Sequence, residues 1–79
     1  MKDQERDVLR KVILELLVGG CVHWTALKKK TLGTCHMFAT DSTFAAQMKY
    51  LLSKGLIRKE ARGAYVITEK GKQYLKIMT

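Results

Sequence analysis

At 79 residues, with no proline and 47% hydrophobic residues, the chain has the length of one small domain and too much apolar content for disorder. Such a domain buries a modest core and is too small to enclose a substrate pocket of ordinary size. The formal net charge is +8, and residues 1–18 supply none of it, because Lys2, Arg6, Arg10 and Lys11 are balanced by Asp3, Glu5, Asp7 and Glu15. The whole excess lies in residues 19–79, whose acids are Asp41, Glu60 and Glu69. A neutral opening segment followed by a basic remainder implies one basic face, the footprint of a polyanion binder. The ordinary alternative is surplus lysine that only keeps a small protein in solution.

Residues 3–18 have the spacing of an amphipathic helix, with Val8, Leu9, Val12, Ile13, Leu16 and Leu17 on one stripe. Asp3, Glu5 and Asp7 crowd its first turn, where the helix dipole favours anions. Gly19-Gly20 is a stop signal. Cys21-Val22-His23 is too short for a helix and reads as a brief extended segment. Trp24–Thr31 reads as a second helix, with Trp24 and Leu27 inward and Lys28, Lys29 and Lys30 outward. Leu32–Asp41 is expected to be a turn punctuated by Gly33, with Met37-Phe38 touching the core.

Ser42–Lys54 is the second strong helix, capped by Asp41 or Thr40 and followed by Gly55 at the position that favours a left-handed backbone. Phe44, Met48, Leu51 and Leu52 form its apolar stripe. Leu56–Thr68 changes to β-prone runs around Ala61-Arg62-Gly63, a hairpin whose connection is two residues or three to four. Thr68 then caps a short helix over Glu69–Met78, with Tyr74, Leu75 and Met78 inward. The fold class is mainly α with a small β-hairpin, an α+β single domain over residues 1–79.

The stretch STFAAQMKYLLSKGLIRK from Ser42 resembles the recognition helix and first wing strand of winged-helix transcription regulators of prokaryotic type. Its signature is a Ser-Thr start, spaced apolar residues and the junction Lys54-Gly55-Leu56-Ile57. YVITEKGKQYL resembles the second wing strand and closing helix of the same families. The resemblance covers nearly the whole chain and implies a winged helix-turn-helix of order α-(β)-α-α-β-β-α. It fixes fold better than function, because winged helices also serve as protein-interaction modules.

In a helix-turn-helix the N-terminal half of the second helix meets base edges in the major groove. The resemblance therefore nominates Ser42, Thr43, Ala46, Gln47 and Lys49 on helix 42–54. Gln47 suits adenine, Lys49 suits guanine, and Ala46 offers only contact with a thymine methyl. With no Arg on this helix, the readout is thin. Tyr50, placed outward on the same face, stacks on sugar or base, meets a partner protein, or packs against the wing. Lys28, Lys29 and Lys30 should cross the phosphate backbone, with Arg58, Lys59 and Arg62 on the wing; a solvated charge run is the commoner fate of three consecutive lysines.

Cys21, His23, Cys35 and His36 have the wrong spacing for a structural zinc, and free thiols in a reducing compartment are the simpler reading. No nucleophile–base–acid arrangement or phosphate-cradling glycine loop appears, so the chain reads as no enzyme, with no cofactor, metal or small-molecule substrate. No run reaches the length of a membrane span, since VILELLV is interrupted by Glu15, and the polar MKDQERD start is unlike a signal peptide. The expected location is the cytoplasm. The expected function is DNA binding in transcription regulation, with double-stranded DNA as partner and a homodimer formed through the first and last helices. The competing reading is a protein-interaction adaptor in a nucleic-acid-processing complex; RNA or single-stranded DNA is a third ligand class.

Overall fold

A computed structural model describes residues 3–35 and 39–78, the side chains of Asp3, Ala61 and Met78 excepted. The expected core contacts of Met37, Phe38 and Met78, and His36 as a ligand, lie outside what is described. Chain order is α1 (Asp3–Val18), β1 (Val22–His23), α2 (Trp24–Thr34), α3 (Asp41–Ser53), β2 (Ile57–Lys59), β3 (Ala64–Ile67) and α4 (Glu69–Met78). The molecule is mainly helical with a small antiparallel sheet, an α+β arrangement. The sheet order is β1-β3-β2, with Val22 opposite Tyr65 and Ile57 opposite Ile67.

Helix α1 is the hub and packs on α2, α3, α4 and β3. Its fully buried residues are Leu9, Ile13, Leu14 and Leu17, whereas Val8 is 44% exposed. The expected stripe is thus rotated: Leu14 joins it and Val8 leaves it. Arg10 stands one turn before Leu14, so this rotation also carries Arg10 inward. Leu27 from α2, Phe44, Met48 and Leu51 from α3, Leu56, Ile57 and Tyr65 complete the core. Each fully buried leucine stabilises by about 1.5–3 kcal/mol. Trp24 joins three elements, meeting Phe44 edge-on at 4.9 Å between ring centroids and Tyr65 at 5.7 Å.

Helix α2 runs to Thr34, past the expected end at Thr31 and through Gly33. Gly33 is not among the residues of positive φ, so it does not act as a stop. The helix closes instead at Cys35, whose N–H donates to the Thr31 carbonyl. Helix α3 begins one residue before expectation. Thr40, not Asp41, is its cap, in a reciprocal box with Thr43. Its end is a Schellman motif: Gly55, at φ +72, donates to the Leu52 carbonyl and Leu56 donates to that of Leu51.

Residues 60–63 join β2 to β3, the longer of the expected connections, and Glu60 donates to Ala64 across the turn. Arg62 sits there in the left-handed region, at φ 59 and ψ 36. Thr68 caps α4 by accepting from Gly71 N–H while donating to the Gly55 carbonyl, which ties α4 to the end of α3. Gly71 is required at that junction. A Cβ there would clash with the Leu56 carbonyl oxygen and lie 2.7 Å from Ile67 Cγ1.

Candidate functional site

The exposed face of α3 consists of Asp41, Ser42, Ala45, Ala46, Lys49, Leu52 and Ser53. Of the expected base-facing residues, Ser42, Ala46 and Lys49 are on it. Gln47 is not: it is 6% exposed, and Arg10 Nε donates to its Oε1 at 2.7 Å. Gln47 lies three residues after Phe44 and four before Leu51, so helical geometry places it at the edge of the buried stripe. The expectation that it faces solvent is corrected accordingly. Leu52, expected in the core stripe, is 37% exposed.

Tyr50 is also not outward. Its half-buried ring carries the Arg10 guanidinium 3.8 Å from its centroid, with Lys54 Nζ at 5.7 Å. It packs against α1 through Arg10, a partner the sequence reading did not name. Arg10 is itself steadied by Asp7 at 3.5 Å, and its side chain is only 15% exposed. Thr43 is committed to the cap of α3. Its hydroxyl accepts from Thr40 N–H at 2.7 Å and donates to the Thr40 carbonyl at 2.9 Å. A hydroxyl so engaged has little left for a base edge.

The expected phosphate-binding cations fall into two groups. Lys29, Lys30, Lys49, Lys59 and Arg62 are exposed and form no ion pair among the described residues. Lys28 and Arg58 are paired. Lys28 Nζ lies 3.8 Å from Asp41 in the first turn of α3, which places this α2 lysine beside the start of that helix. Arg58 Nη2 donates to Glu60 Oε1 at 2.7 Å, with Nε on the same oxygen at 3.2 Å. Cations therefore stand at the beginning of α3, on its exposed face, and on the hairpin that follows its end.

His23 has a local role that its sequence position did not reveal. Its Nδ1 accepts from Thr25 N–H at 3.2 Å and caps α2. Cys21 is exposed and Cys35 buried, both as free thiols, and burial pushes the Cys35 thiol above its ordinary pKa. That burial favours the neutral thiol over the thiolate. Among the described residues no three His, Cys, Asp or Glu side chains are grouped to hold a metal ion, and no helix is long and apolar enough to cross a membrane. A depression of about 230 Å³, lined by Leu56, Lys70, Gln73, Tyr74 and Ile77, presents mainly apolar surface. Neither family models nor curated proteins include a match to this chain.

Proposed function

We propose that the chain is a winged helix-turn-helix that binds double-stranded DNA mainly through the phosphate backbone, in the service of transcription regulation. In this reading α2 and α3 form the helix-turn-helix, the β2–β3 hairpin is the wing, and β1 completes the small sheet. The element order and the β1-β3-β2 pairing support the architecture. The observation that carries the function is the placement of cations around α3: Lys28 at its first turn, Lys49 on its exposed face, and Lys59 and Arg62 on the hairpin beyond its end.

Arg62 adds a second support. A left-handed backbone costs a non-glycine residue on the order of 1 kcal/mol. Gly or Asn would serve that turn more cheaply, so the cation itself gives a reason for Arg there. Sequence reading by α3 is narrow, since Gln47, Thr43 and Tyr50 are engaged within the protein. Ser42, Ala46 and Lys49 remain, and Lys49 alone among them carries charge. Affinity should exceed selectivity.

The adaptor reading has its own support in Ala45, Ala46 and the half-exposed Leu52, a face of α3 with small and apolar groups. One experiment separates the two. Duplex binding is titrated over a salt series for the native protein and for the triple substitution Lys28→Glu, Lys29→Glu, Lys30→Glu. DNA binding predicts a slope of log affinity against log salt of about −3 to −5 and a loss of about a hundredfold or more in the triple variant. A flat salt dependence, or no binding in dilute buffer, rejects it and leaves the adaptor.

A further inference from the structure

Beyond α1 the sequence has only Asp41, Glu60 and Glu69 as acids. Two of these three sit on cations assigned above to phosphate, Asp41 on Lys28 and Glu60 on Arg58. The Lys28–Asp41 contact joins two different helices, so local sequence spacing does not explain it. At Arg58, two guanidinium nitrogens share one carboxylate oxygen, an arrangement that a phosphate oxygen can also satisfy. Asp41 occupies the first turn of α3, where the helix dipole favours an anion of either kind.

We propose that Asp41 and Glu60 are internal stand-ins for phosphate that hold Lys28 and Arg58 in the free protein and give them up to nucleic acid. They thereby set the affinity of the interface and its salt dependence. The proposal rests on the DNA-binding reading above. Both acids are well exposed, with side-chain exposures of 75% for Asp41 and 43% for Glu60, and exposed ion pairs are weak enough to exchange. After exchange, each displaced carboxylate faces the phosphates it has yielded to, and that repulsion lowers affinity for every sequence alike. Indiscriminate binding is held down, and the thin readout of Ser42, Ala46 and Lys49 counts for more.

The test compares the native protein with Asp41→Asn, Glu60→Gln and the control Glu69→Gln by fluorescence anisotropy on one labelled duplex over a salt series. Glu69 pairs with no cation among the described residues and, like Asp41, sits in the first turn of its helix, so its variant removes a charge without freeing a cation. Asp41→Asn and Glu60→Gln should each tighten binding by about three- to fivefold at low salt. Each should also steepen the salt slope, by at most about 0.9, because no freed carboxylate then takes up a salt cation to offset the one released from phosphate, and both changes should exceed those in Glu69→Gln. Thermal melting of each variant checks that it folds. If the native protein fails to bind the duplex, the DNA-binding reading falls and takes this proposal with it. If the native protein binds with a steep slope but the two variants match Glu69→Gln, the proposal alone falls. Weaker binding by either variant overturns it as well, because the acids would then be positioning the cations rather than competing for them.

Discussion

On one side of α3, Gln47 and Tyr50 meet Arg10 and lie against α1; on the other, Ser42, Ala45, Ala46 and Lys49 face solvent. The polar groups best equipped to read a base are thus turned inward, and the outward face is left mostly to methyl groups. A glutamine and a tyrosine look like surface chemistry until the arginine that satisfies them is seen. Arg10 supplies a charge-assisted hydrogen bond to Gln47 and a cation over Tyr50, so one side chain from α1 fixes two positions of α3 and with them its rotation. The inner face sets how α3 is held, and the outer face sets what it can touch.

The largest effect that tests this contrast comes from Arg10→Ala. It leaves Gln47 Oε1 buried without its donor and removes the nearer of the two cations over Tyr50, so urea denaturation should show a loss of about 2–3 kcal/mol. The salt slope of duplex binding, measured where the variant is folded, should stay within error of the native value, because Arg10 is turned away from solvent. A loss under about 0.5 kcal/mol, the range of ordinary surface changes, would mean that the inner face contributes no more than the outer one.

This contrast also marks where the sequence was readable. Caps, apolar periods and β-prone runs point to α1, α3, the hairpin and α4, because each is a local signal: Gly55 after Lys54, the runs around Ala61-Arg62-Gly63, Thr68 before α4. Residue type points to Leu52 rather than Gln47 as the inward neighbour of the α3 stripe, and the structure has the reverse. Gln47 and Leu52 flank the Phe44, Met48 and Leu51 stripe on opposite sides at nearly equal angles, so the stripe alone does not choose between them; Arg10 on α1 does, by meeting Gln47. Arg10 was invisible for a different reason, since its partners are 37 residues away in the chain for Gln47 and further for Tyr50. Gly71 carried a usable hint. A glycine inside a helix costs about 1 kcal/mol against alanine, which calls for a packing reason, and the Leu56 carbonyl is that reason.

A smaller effect is expected where the two faces meet. Thr43 is expected as a base contact, but its hydroxyl closes the capping box with Thr40. Thr43→Val keeps the shape and removes the oxygen, so it should cost about 0.5–1.5 kcal/mol of stability, within the range for lost caps. Duplex affinity of the folded variant should be unchanged. A drop in affinity with no loss of stability would return Thr43 to the outer, ligand-facing set.

The smallest stability effect belongs to Lys49→Ala, on the outer face. Lys49 is exposed and forms no ion pair among the described residues, and alanine is the better helix former, so stability should move by less than about 0.5 kcal/mol. Binding should respond instead, with a salt slope shallower by about 0.9 if Lys49 meets a phosphate. The pattern across sequences then tells which job it has. An equal loss on unrelated duplexes means that Lys49 holds the backbone, and α3 then reads bases only through Ser42 and the alanine methyls. A loss concentrated on duplexes with guanine at one position means that Lys49 reads that base, for which a good contact is worth about 1–3 kcal/mol. In the second case a single lysine would carry most of the selectivity of α3, because the glutamine that could have shared it is held by Arg10.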